Sequence, residues 1–198
     1  MLPPMRRAVF LDRDGVINDM VYDPDHGIVD SPQNPDQFHL LPGVGIAIRD
    51  INQLGYLAVV VSNQPGIAKG KCTPALLSAV TAKMERQLAE SGARLDGVYY
   101  CLHHPDAALG EYRLVCDCRK PKAGLLYQAA AELGIDLSRS YMIGDGLTDV
   151  QAGKKAGCTT VFIGSQRCDV CRLMMKLDVR PDLIVPNLSE AVRRIKTM

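Results

Sequence analysis

The sequence predicts an α/β fold: a mainly parallel sheet covered by helices on both faces. Two observations carry this. Short runs rich in Val, Ile, Phe and Tyr alternate strictly with longer amphipathic segments, the pattern of strand–helix–strand crossover units. Proline and glycine punctuate the helical segments, with Pro42 and Pro74 expected to open helices and Gly55, Gly92, Gly134 and Gly157 expected to close them. At 198 residues the chain is long enough to bury a core, and one domain over 1–198 is expected.

In chain order, "AVFLD" reads as the first strand. It is followed by an irregular insertion over about 17–40, rich in Pro, Asp and Asn. "GVGIAIRDINQLG" reads as a helix and "LAVVVS" as the second strand. The helix "PALLSAVTAKMERQLAES" and the strand "GVYYC" come next. A cysteine-bearing loop over 101–118 interrupts the alternation. Then come helix "AGLLYQAAAELG", strand "SYMIGD", helix "TDVQAGKKAG", strands "TTVFIG" and "DLIV", and helix "LSEAVRRI". No internal repeat or low-complexity tract breaks this order.

Composition excludes several classes. Hydrophobic residues are 47% and charged residues 23%, the balance of a globular protein. Net charge is +1 without a basic block, so no nucleic-acid partner is expected. No apolar run is long enough for a signal peptide or a bilayer span, and a cytoplasmic monomer without membrane contact is the expectation. Seven cysteines, an odd number, argue against a full disulfide framework.

Ligands of a parallel sheet bind beyond the carboxyl ends of its strands, so the residues there carry the functional reading. The first strand ends "FLDRDGVIND", placing Asp12 and Asp14 one residue apart. Two carboxylates this close repel unless a cation or proton lies between them. The strand "SYMIGD" adds Asp145, with Asp149 just beyond at a helix start, where capping alone would explain it. Asp12, Asp14 and Asp145 together look like a Mg²⁺ site, since Mg²⁺ takes hard oxygen ligands alongside phosphate. Ser62 and Asn63 end the second strand, and Lys69 follows a turn. Facing a metal, the Ser62 hydroxyl becomes a candidate donor to phosphate oxygens. Arg119 and Lys120 close the cysteine loop, where Lys can neutralise a phosphoryl group.

In this order "FLDRDG", "VVVSNQ", "CRKP" and "GDGLTD" resemble the four motifs of the haloacid-dehalogenase superfamily of phosphohydrolases. Within it, "SNQPGIAKG", "YYCLHHP" and "CDCRKPKAG" resemble the heptose bisphosphatase group, with histidinol-phosphate phosphatases as close relatives. The resemblance implies a Rossmann-like sheet of haloacid-dehalogenase type with a small zinc-binding loop and no large cap domain. It implies a small phosphorylated sugar as substrate and an aspartyl-phosphate formed on Asp12. Asp14 would serve as acid and base, and Ser62 and Lys120 would hold the transferring oxygens. Mg²⁺ would sit on Asp12, the Asp14 carbonyl and Asp145, while Asn63, Lys69 and Arg119 would touch substrate. Its departures are Ser62 for the frequent Thr, Pro65 for Ser, Lys69 for Arg and Gly146 for the frequent Lys.

The cysteine loop admits a disulfide, a redox pair or a metal. Cys101, His103, Cys116 and Cys118 have the residue types and paired spacing of a closed tetrahedral zinc site, structural rather than catalytic, and His103 has the C-x-H spacing of the resembling family. His104 is the other candidate imidazole. Cys168 and Cys171 read as incidental thiols on a surface helix, Cys72 and Cys158 as small apolar residues, and His26 as a solvated loop residue.

Overall fold

A computed structural model describes residues 5–23, 27–165 and 168–198. Six strands form one parallel sheet: β1 (Ala8–Leu11), β4 (Leu57–Asn63), β5 (Gly97–Cys101), β6 (Tyr141–Gly144), β7 (Thr159–Ile163) and β8 (Leu183–Val185). Their spatial order is β5-β4-β1-β6-β7-β8. The chain runs outward from β1 to β5, then returns to lay β6 on the other side of β1. Phe10 therefore pairs with Val59 on one flank and Met142 on the other. The β1–β6 boundary is the switch point, where such sheets open a crevice.

Side chains alternate across the sheet and both sets are buried. Val9, Leu11, Val60 and Ile143 face a core filled by Ile48, Ile51, Met84, Leu88 and Ile195 from α1 (Val44–Gln53), α2 (Pro74–Glu90) and α6 (Leu188–Lys196). Ala8, Phe10, Val59 and Met142 face Leu126, Ala129 and Ala152 from α3 (Gly124–Leu133) and α4 (Leu147–Ala156). Burial on two faces explains why the strands read as unbroken apolar runs. The helix α5 (Cys168–Lys176) packs Met174 beside Phe162 and Val150.

Pro74 is the first residue of α2, and Thr73 caps it by accepting from the Leu76 N–H. Pro42 instead precedes the helix: α1 starts at Val44, behind Gly43, whose φ of 79° a prolyl ring could not adopt. The four expected closing glycines all have positive φ.

The insertion holds an antiparallel hairpin, β2 (Val21–Asp23) and β3 (Ile28–Asp30), which the sequence reading left as irregular. Its two ends are stitched together: Asp19 N–H donates to His39 at 3.0 Å and Leu41 N–H to Ile17 at 2.9 Å. Phe38, near its far end, is fully buried in the main core. Among the described residues there is no large cap in this insertion. His26 and the Cys168 side chain lie outside the described residues. Cys171 is half-buried on α5, Cys158 lies in the core, and Cys72 is half-buried with its thiol donating to Gln33 O at 3.4 Å. Among the described residues no helix is long and apolar enough to cross a membrane.

Candidate active site

Asp12 follows β1 directly, and its N–H still pairs with Ile143 O at 3.0 Å, so the sheet fixes where the carboxylate begins. Lys120 reaches the same point from the end of the cysteine loop. Its Nζ lies 3.0 Å from Asp12 Oδ1 and 2.5 Å from Asp149 Oδ1, and it donates to Val61 O at 3.0 Å. Burial opposes the Lys120 charge, but Asp12 and Asp149 outweigh it and hold the ammonium above its ordinary range.

Asp149 is almost wholly buried, with its other oxygen accepting from Gly146 N–H at 3.0 Å. Capping was the plain expectation for it, and it does cap α4. It is also the second anchor of Lys120, a role no local signal announces. Burial pushes its carboxyl up further than the Lys120 charge pulls it down.

Asp145 ends β6 across from Asp12. The residue is exposed overall, yet its carboxylate lies against the Gly15 backbone, where any Cβ would collide with it. Gly15 itself has φ of 77°, open to glycine at little cost. Loss of water there, then repulsion from Asp12, pushes Asp145 up to about 6. Carboxylate oxygens of Asp12, Asp145 and Asp149 all lie within 4.8 Å of one another. Two of these acids repel across a gap that a divalent cation would neutralise, so the donor set fits a hard cation.

The Asp14 carboxylate is not in that group, although the sequence reading has all three acids converging. It turns into a buried cradle: Arg13 donates to it from Nε at 3.1 Å and Nη2 at 3.0 Å, Asn18 from Nδ2 at 2.9 Å, and Gln64 from Nε2 at 2.7 Å. Arg13 is fully buried, with its guanidinium 5.6 Å from the Tyr100 ring centre. Neither Arg13 nor Gln64 stands out in the sequence, because their roles depend on contacts between separate loops.

Ser62 is buried one residue before the end of β4, and its Oγ accepts from Gln64 Nε2 at 3.1 Å. Asn63, expected at the substrate, spends its amide on the Lys120 main chain. It donates to Lys120 O and accepts from Lys120 N–H, each at 3.0 Å. It fixes the main chain of the lysine from β4. Lys69 is exposed on the turn after β4, and Arg119 donates to His103 O at 3.2 Å. Partial burial, then the Arg119 and Lys69 charges, hold the His104 imidazole below its ordinary range.

The cysteine loop folds onto the turn after β4, with Ala108 and Leu109 N–H both donating to Ala68 O. Cys101, Cys116 and Cys118 are free thiols with sulfurs 3.1–3.5 Å apart, well beyond a disulfide bond. His103 Nδ1 is 3.4 Å from Cys118 Sγ, and all four donor atoms lie within 4.8 Å of one another. His104 instead accepts the Asp106 N–H on its Nδ1 at 3.1 Å. The donor set is that of a closed tetrahedral site. Gly124 lets the loop end at α3, because a Cβ there would strike the Asp117 carbonyl.

Residues 117–191 match the HAD-hydrolase-like family model. Over 153 residues the chain is 47% identical to the D-glycero-beta-D-manno-heptose-1,7-bisphosphate 7-phosphatase of Salmonella typhi, covering 77% of each chain. It is 46% identical to the protein of that name from Escherichia coli K12, covering 77% of this chain and 76% of the other. The chain belongs to the haloacid-dehalogenase-like hydrolase family. Among solved structures, the D,D-heptose 1,7-bisphosphate phosphatase of B. bronchiseptica, complexed with magnesium and phosphate, is similar with TM-score 0.77 and 30% identity. That alignment covers 96% of this chain and 98% of the other.

Proposed function

We propose that this chain is a Mg²⁺-dependent phosphatase that removes the 7-phosphate of D-glycero-D-manno-heptose 1,7-bisphosphate. The observation that carries the reading is the buried Lys120 ammonium bound to Asp12 and Asp149, with Asp145 alongside at the switch point. The 46–47% identity to phosphatases of that name supports the substrate.

Asp12 attacks phosphorus, and the bond to the leaving oxygen breaks with its electron pair going to that oxygen. Asp14, entering the reaction protonated, gives its proton to the leaving alkoxide. Water then attacks the aspartyl-phosphate, Asp14 takes its proton, and inorganic phosphate leaves with the Asp12 carboxylate restored. Lys120 and the Ser62 hydroxyl stabilise the charge on the transferring oxygens, which is most of what a protein can contribute to this reaction. Asp12, Asp145 and the backbone carbonyl of Asp14 would hold Mg²⁺, while the Asp149 carboxylate is committed to Lys120. When bound, the cation neutralises the repulsion between the nucleophile and the phosphate.

Cys101, His103, Cys116 and Cys118 would hold a structural Zn²⁺ that keeps Arg119 and Lys120 in place. Arg119 and Lys69, with opposite charge to a second phosphate, lie on the rim where a bisphosphate would extend. A phosphate-release panel with Mg²⁺ tests the proposal. It compares both anomers of the heptose bisphosphate with histidinol phosphate and simple sugar phosphates. The heptose compound should show the highest kcat/KM, and equal or greater turnover of histidinol phosphate would overturn the substrate.

A further inference from the structure

Gln64 is buried two residues beyond Ser62, and both ends of its amide are engaged by groups of the site. Its Oε1 accepts from Arg13 Nη2 at 2.9 Å. Its Nε2 donates to Asp14 Oδ2 at 2.7 Å and to Ser62 Oγ at 3.1 Å. The amide can face only this way: a guanidinium has donors alone, so the carbonyl end must meet Arg13. Two consequences follow for its neighbours. The Asp14 carboxylate is held by an amide that comes from the other motif-bearing strand end. The Ser62 oxygen is occupied as an acceptor, which leaves its own O–H proton free to donate elsewhere.

We infer that Gln64 is a positioning residue that fixes two groups at once: it locks the Asp14 carboxyl in its cradle and leaves the Ser62 hydroxyl proton free to reach the transferring phosphoryl group. The inference rests on the phosphatase reading of Asp14 and Ser62. Without Gln64 the donors that remain belong to Arg13, whose Nη1 has no partner, and to Asn18. Arg13 already spans both Asp14 oxygens, at 3.0 and 3.2 Å from Nη2, and Asn18 Nδ2 is shared with the Asp19 carbonyl at 2.8 Å. Losing the amide would leave the carboxylate pinned from the Arg13 and Asn18 side only.

The test separates aim from mere packing by the chemistry of the leaving group. An alkoxide needs a proton as it departs, whereas p-nitrophenolate scarcely does, so a misplaced acid harms the first reaction selectively. kcat/KM covers the steps through leaving-group departure. It would be measured for the heptose bisphosphate and for p-nitrophenyl phosphate in the wild type, Gln64→Met and Gln64→Glu. Methionine keeps the length and removes the donor, and glutamate keeps the shape should the methionine variant fail to fold. The ratio of sugar-phosphate to aryl-phosphate kcat/KM should fall at least about tenfold in either variant. Equal losses on both compounds, or no loss on either, would overturn the inference. A wild type inactive toward every phosphomonoester would instead overturn the function it rests on, and the same panel tells the two failures apart.

Discussion

Lys120 and Asp149 form an ion pair at 2.5 Å, and both side chains are about 1% exposed. Neither is near the other in sequence. One ends the cysteine loop and the other sits in the first turn of α4, so the pair closes the site from two sides. A buried pair is a weak source of net stability, but breaking it strands a charge.

Replacing Lys120 with Met should therefore harm folding as well as turnover. Asp12 and Asp149 would face each other without a cation, and a loss of about 3–5 kcal/mol is expected. Urea denaturation would read this loss. A variant of unchanged midpoint would show that the pair contributes nothing to the fold.

Asp12→Asn should behave differently. The side chain is partly open to solvent and keeps its shape, so the thermal transition should stay close to wild type. Phosphate release should drop by at least about 10³-fold, as expected when a nucleophile is removed. Residual turnover within tenfold of wild type would remove Asp12 from the nucleophile role.

The Asp145 carboxyl, pushed up to about 6, gives a pH dependence with a definite sign. Its folded value exceeds the unfolded one, so the metal-free folded state binds more protons between about pH 4 and pH 6. This group's contribution to stability is thus fully present at low pH and is lost as pH rises through 6. Mg²⁺ binds the ionised form, so its stabilisation should be larger at pH 7.5 than at pH 5. Thermal melts with and without Mg²⁺ at the two pH values would measure this, and Asp145→Asn should abolish the difference.

Metal analysis should find about one zinc per chain in the wild type and none in Cys118→Ser. The apparent thermal transition should fall in that variant, because three free donors cannot hold the loop closed. KM for the sugar phosphate should rise, since Arg119 follows Cys118 directly and bonds to the His103 carbonyl. Wild-type protein without zinc, and with its thiols titrating as disulfides, would sink the assignment.

The central strands were legible because burial on two faces writes itself as continuous Val, Ile and Phe, and half-buried β5 and β8 as short runs of β-branched and aromatic residues between turns. The β2–β3 hairpin was not, since three-residue strands inside a Pro- and Asp-rich stretch carry no readable period. At the site, Asp12 and Asp145 were legible as acids ending strands. The inward turn of Asp14 was not, because it depends on donors from Arg13, Asn18 and Gln64. The tie between Asn63 and the Lys120 backbone was not legible for a related reason: it depends on two segments far apart in sequence passing close together. Asp149 shows the opposite case, where a sound local explanation hid a second, long-range one.

The stitched base of the insertion has a consequence for how such a protein can change. The chain leaves at Ile17–Asp19 and returns at His39–Leu41 through paired backbone groups, so what lies between is hung from a closed stem. Lengthening a loop beyond such a stem adds only a slowly growing entropic cost and leaves β1 untouched. Changes of length in the β2–β3 turn should therefore leave the position of Asp12 unaltered.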